Sequence, residues 1–212
     1  MGNKKAVLQL CAIGLVLTLT ISCDRSEQPI PRQDTTLAAP VHTADAKKGK
    51  PITYTTYIIR KGQHSSTSSY RSVKTSFLRF EAVFDKSAVY TTILANNQAD
   101  INKLYGMSDC GSLHQTNSAR FGWRWYNNRL EILGYVYNGG KWSYQYITSV
   151  DLDKPYTYEL SLLSQSYLFS VNGVNVSLPR SCSGQGSGYM LYPYFGGDET
   201  APHDITIRIR DL

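Results

Sequence analysis

At 212 residues, with a formal net charge of +6 and 42% hydrophobic residues, the chain has room for one domain with a sizeable core. Charges of both signs are interspersed and no basic run forms a stripe, so nucleic acid is not expected as a partner. No Gly-x-Ser-x-Gly elbow, phosphate-cradling glycine loop or His-x-x-x-His pair occurs, which removes the chemistries those motifs carry.

Residues 1–22 pair Lys4 and Lys5 with an apolar run that is short for a spanning helix and ends in small residues, the pattern of an export signal. Its end, Leu19-Thr20-Ile21-Ser22-Cys23, resembles a bacterial lipobox, with Thr20 where leucine is usual, and makes Cys23 the expected lipidation site. The expected location is therefore the cell envelope, held by lipid to the outer membrane of a Gram-negative bacterium. Residues 23–50 are rich in Pro, Thr, Asp and Lys without an apolar period and read as a flexible tether. Without the signal the charge is 20 basic against 16 acidic residues, or +4, which admits acidic partners.

Residues 51–212 form the expected domain. Spans 77–84, 119–126, 130–137, 142–150, 156–163, 167–171 and 205–209 alternate with period two and are enriched in aromatic and β-branched residues. Between them lie Asn127-Asn128, Gly139-Gly140, Gln165-Ser166 and Asn172-Gly173, most of which suit tight hairpins. The one short helical turn expected is at 99–106. Many short strands with regular turns argue an all-β, two-sheet antiparallel sandwich. Cys110 and Cys182, the only cysteines left in the exported domain, sit in Gly/Ser-rich loops and are expected to form a disulfide.

The segments YTYELSLLSQSYLFSVNGVNVSL and GYMLYPYFGGDETAPHDITIRI resemble the back half of concanavalin A-like or laminin G-like jelly rolls. DINKLYGMSDCGS, NSARFGWRW and LYPYFGGDETAPHDI together resemble an uncharacterised family of exported, often lipid-anchored, bacterial proteins. The resemblance implies a jelly roll and a site on the concave face of one sheet. It brings no activity with it, because this fold hosts lectins, glycosidases, lyases and adhesion modules alike.

If Asn127-Asn128 is a two-residue turn, Trp125 faces Leu130, Trp123 faces Ile132, Phe121 faces Gly134 and Arg120 faces Tyr135. One face is then apolar, with both tryptophans in the core; the other carries Arg120, Arg124, Glu131 and Tyr135. A two-residue turn at Gly139-Gly140 adds Tyr137, Trp142 and Tyr144 to that second face. A three-residue loop instead turns Trp142, Tyr144 and Tyr146 inward. Flat rings stack on sugar rings, and Arg and Glu hydrogen-bond hydroxyls and carboxylates, so the platform suits a polysaccharide or surface glycan. The plain alternative is a solvated face on which Arg124 and Glu131 are a cross-strand ion pair.

Two other functions compete with glycan binding. His114, Arg120, Arg124 and Tyr135 are the kinds of group by which a lyase neutralises a uronate carboxylate and takes the adjacent proton, although strands like those of alginate lyase families (RTELR, YFKAG) are missing. The third reading is an adhesion or structural module whose exposed sheet meets protein. Glu81, Glu131 and Glu159 stand singly on their strands, so a retaining glycosidase is not expected. No cofactor or metal is expected. Asp100, Asp109, Asp198 and Asp204 are of the hard-oxygen type that structural calcium takes, without forming a dense cluster. His203 is expected to brace the last strand.

Overall fold

The computed structural model describes residues 53–67 and 69–212; the expected signal, Cys23, the tether and His42 lie outside the described residues. In chain order the strands are β1 (Thr55–Ile59), β2 (Ser72–Thr75), β3 (Phe77–Phe84), β4 (Asn102–Ser108), β5 (Ser118–Tyr126), β6 (Arg129–Asn138), β7 (Lys141–Val150), β8 (Tyr156–Leu162), β9 (Ser166–Val171), β10 (Val174–Pro179), β11 (Gly186–Leu191) and β12 (Ile205–Asp211). They form two six-stranded sheets, β1-β12-β3-β8-β9-β10 and β2-β11-β4-β5-β6-β7. Every pairing is antiparallel.

The core lies between the sheets because alternate residues of each strand point inward. Phe80 stacks on Tyr158, and Phe121 meets Phe80, Tyr158 and Phe169 edge to face. Trp123 is fully buried against Phe84, Tyr90 and Phe195, and Trp125 packs at the core margin, so the tryptophans of the FGWRW run face inward as their alternation requires.

Turn chemistry sets the registers that matter. Asn127 and Asn128 have φ of +52° and +59°, and Gly139 and Gly140 +61° and +81°, the left-handed geometry of two-residue hairpins. Arg120 therefore pairs with Tyr135, Tyr135 with Tyr144, and Tyr137 with Trp142. The three-residue alternative at Gly139-Gly140 is not adopted.

The expected helical turn at 99–106 is instead the start of β4, preceded by a 3-10 turn at Ala95–Ala99. A β-bulge lies between Lys103, paired with Gly122, and Gly106, paired with Arg120. It sends both Leu104 and Tyr105 into the core and leaves Lys103 on the opposite face beside Arg120. Gly106 belongs there because a Cβ would lie 2.1 Å from the Ala119 carbonyl oxygen.

Cys110 and Cys182 are disulfide-bonded across a separation of 72 residues. Beside them Asp109 and Arg180, both fully buried, form an ion pair with Nε at 2.7 Å from Oδ2. His203 Nε2 lies 2.8 Å from the Ser87 carbonyl oxygen, while the Ser87 hydroxyl accepts from the Thr206 backbone N–H, bracing β12 as expected.

Candidate functional site

The outer face of the β4-β5-β6-β7 sheet carries a groove of about 1010 Å³. Its floor is Lys103 from β4, Arg120 from β5 and Tyr135 and Tyr137 from β6. Trp142 and Tyr144 from β7 form one side, and Tyr189, Tyr192 and Tyr194 form the other. His114 lines it from the loop before β5, and Asp100 and Asp198 approach from neighbouring turns.

The aromatic side is ordered. The Trp142 ring is parallel to Tyr135 (3°, centroids 6.4 Å apart) and to Tyr144 (7°, 6.0 Å), while Tyr137 meets Tyr135 edge on. Trp142 is 58% exposed and Tyr144 45%, so flat apolar faces are open to a ligand beside the buried Arg120 and Tyr135.

Arg120 is the unusual group. It is only 8% exposed, its Nε is buried without a hydrogen-bond partner, and among the described residues no carboxylate pairs with its guanidinium. The Tyr135 ring lies 5.7 Å from its Cζ, and Tyr137, Tyr189 and Tyr194 are the other groups that favour its charge. Burial lowers its pKa, yet a guanidinium keeps its proton at any ordinary pH. The floor therefore holds a buried, uncompensated positive charge, which is costly unless an anion joins it. Arg180 shows the ordinary solution in the same domain, since its Nε donates to Asp109 and its Nη1 to the Leu163 and Gly184 carbonyl oxygens.

Lys103 stands next to it, with Nζ 4.3 Å from the Tyr135 centroid and donating to the Ile101 carbonyl oxygen. Burial, reinforced by the Arg120 charge, brings its pKa down to about 7. Residues past β11 flank this strand: Lys103 and Tyr194 exchange backbone hydrogen bonds of 2.8 and 2.9 Å, and Tyr194 stacks on His64.

His114 is held by Tyr189 of β11. Its backbone N–H donates to the Tyr189 hydroxyl at 3.1 Å, and Nδ1 lies 2.8 Å from that oxygen, so the hydroxyl is placed to donate to a neutral imidazole. Burial first and the Arg120 charge second lower the His114 pKa, which favours that neutral ring.

The structure thus brings His114, Arg120, Tyr135, Tyr137, Trp142 and Tyr144 together in one groove. Arg124 and Glu131, expected on the same platform, lie outside it. Glu131 is 3% exposed and accepts from Arg124 Nε and Arg129 Nε at 2.9 Å each, while Arg124 Nη1 donates to the Ala99 carbonyl oxygen. Both side chains are committed to a cross-strand cluster. The four aspartates considered for calcium do not converge either. Asp109 is bound to Arg180, Asp204 accepts from Arg60 and the Lys61 N–H, and only Asp100 and Asp198 reach the groove. Among the described residues the one group of three side chains at metal-binding spacing is Asp109, Cys110 and Cys182, whose sulfurs are bonded to each other.

No protein-family model and no curated protein sequence matches the chain. Solved structures do resemble it. The alginate lyase AlyC3 superposes with a TM-score of 0.52 at 10% identity, covering 74% of this chain and 72% of that one. The family GH16 endo-β-1,3(4)-glucanase SCLam gives 0.49 at 10% identity over 74% and 69%. The domain is a two-sheet antiparallel jelly-roll sandwich. The galectin LEC-6 of Caenorhabditis elegans gives 0.42 at 13% identity over 71% and 94%. At these identities the likeness speaks to the fold, and function must be argued from the groove.

Proposed function

We propose that the groove binds an acidic polysaccharide, with an anionic sugar substituent seated at Arg120 and sugar rings lying on Trp142 and Tyr144. The observation that carries this is the buried Arg120 guanidinium, open to the groove and lacking a carboxylate partner. A carboxylate accepts two parallel hydrogen bonds from such a fork, which a neutral hydroxyl matches poorly. An anchor at Cys23 and the tether that follows would hold the domain at the envelope surface, in keeping with the resemblance to exported lipoproteins.

The test is direct binding of the full-length protein, in neutral detergent, to hexamers of galacturonate, guluronate, mannuronate and glucuronate, with a neutral hexaglucan as control. Binding to at least one uronate and none to the neutral chain is the expected result. Trp142→Ala should weaken it about tenfold, the stacking contribution of one ring of roughly 1.4 kcal/mol, with no change in unfolding. Absence of binding to every uronate would refute the proposal and favour a protein-facing sheet.

His114 supports a second reading, elimination on the bound glycan. A neutral imidazole within the groove can take the proton on the carbon next to the carboxylate while Arg120 neutralises the charge that develops. The bond from the neighbouring carbon to the leaving sugar oxygen then breaks, that oxygen takes up the proton now held by the imidazole, directly or through water, and a carbon–carbon double bond remains. Catalysis would appear as new ultraviolet absorbance with the bound uronate, lost in His114→Ala. Binding without such absorbance would leave a purely binding groove.

A further inference from the structure

Lys103 has no part in the readings so far, and its surroundings give it one. The bulge in β4 turns it onto the groove floor, where its ammonium and the Arg120 guanidinium lie against the same Tyr135 ring, at 4.3 and 5.7 Å from the centroid. Among the described residues neither group is in an ion pair, although Asp100 lends Lys103 some negative charge from a distance. Space for the ammonium is kept by Gly196, where a Cβ would stand 3.0 Å from Nζ and 2.3 Å from the Ile101 carbonyl oxygen. One N–H of Lys103 is spent on that carbonyl; the others have the groove before them.

Resting on the proposed glycan reading, we infer that Lys103 and Arg120 form a two-cation subsite for one anionic sugar group, and that Lys103 takes up a proton from solvent as the anion enters. With the groove empty, two adjacent cations over one ring repel each other, and the one that can release a proton does so near neutrality. An anion between them reverses the balance, because it favours the charged amine. The Arg120 charge cannot respond in this way, so the coupling falls on the lysine alone.

Two neighbouring groups, His114 and Tyr135, do not titrate in the same pH window. His114, on the far wall, has its pKa lowered from an ordinary value of about 6.5 and is neutral above pH 7. Burial raises the Tyr135 pKa above its ordinary value, which keeps its hydroxyl protonated there. Tyr137 and Tyr194 line the same floor and wall, and Asp100, which faces Lys103, supplies a negative charge that partly supports the ammonium.

Calorimetric titration of the full-length protein with the uronate hexamers, in two buffers of different ionisation heat, tests this between pH 7 and 9. The expected result is uptake approaching one proton per bound ligand at pH 8 and an affinity that falls up to tenfold per pH unit above about 7. Lys103→Arg, charged at every pH in the range, should lose both the proton uptake and the pH dependence of binding, and Lys103→Met should bind weakly at every pH. A wild-type affinity that is flat from pH 7 to 9 with no proton uptake would overturn the role of Lys103 and leave the glycan reading standing. If no uronate binds at pH 6, where Lys103 is charged in the empty groove, the glycan reading itself falls and takes this inference with it.

Discussion

Replacing Arg120 with Met should abolish uronate binding and, at the same time, make the empty domain harder to unfold. Both effects follow from one fact, a guanidinium that is buried, lacks an anionic partner and has an orphaned Nε. Such a charge costs the folded state its hydration without the return that an ion pair gives, and an apolar side chain of similar length removes the cost. The gain should be on the order of 1–3 kcal/mol by urea unfolding, allowing for the Tyr135 ring that already shields part of the charge. Binding should fall below detection, by well over about thirtyfold, the consequence of leaving an anionic group buried against an apolar floor. A folded Arg120→Met protein that still binds uronate, or that unfolds more easily, would mean that Arg120 packs the sheet and does not receive a ligand.

Much of this site could be read from the chain because its geometry is local. Two hairpins whose turn residues favour positive φ fix the registers of β5, β6 and β7, and alternation then assigns every side chain to a face. Arg120, Tyr135, Tyr137, Trp142 and Tyr144 were legible for that reason. A shared strand face is wider than a groove, however. Arg124 and Glu131 have the same parity as Arg120 but sit where Arg129, at the start of β6, and the Ala99 carbonyl, at the end of the 3-10 turn, capture them.

What alternation missed was set by its own interruption and by long-range pairing. The bulge between Lys103 and Gly106 puts two successive residues, Leu104 and Tyr105, on the core face, so the run NKLYGMS shows no clean period and invites a helical turn. A lone lysine in an otherwise apolar strand was the signal that could have found the second cation. The tyrosine wall depends on β11 lying beside β4, a pairing of Met190 with Met107 that no local pattern announces. Tyr189, Tyr192 and Tyr194 are therefore additions from topology.

The contrast with the other buried arginine gives the second large prediction, of opposite sign. Asp109→Asn should destabilise the domain by about 3–5 kcal/mol, because it strands Arg180 in the interior. Asp109 also accepts from the Tyr167 hydroxyl at 2.9 Å and from the Ser187 N–H at 3.2 Å, so the loss reaches three elements at once. Burial pushes the Asp109 pKa up, but the hydrogen bonds from Arg180, the Cys110 N–H and Tyr167 outweigh it and hold the pKa below the ordinary value of 3.8. A depressed folded-state pKa means that the contribution is complete above the unfolded value and is lost as pH falls through the folded one. The stability gap between wild type and Asp109→Asn should thus be widest near pH 7 and shrink below about pH 4. Adding Arg180→Met to Asp109→Asn should recover most of the loss, since the stranded charge leaves with it. An Asp109→Asn protein as stable as wild type at pH 7 would show that Arg180 is satisfied by the Leu163 and Gly184 carbonyls alone. Arg120 would then have no claim to be a waiting anion site on the ground of its burial, because a buried arginine in this fold would not need a negative partner.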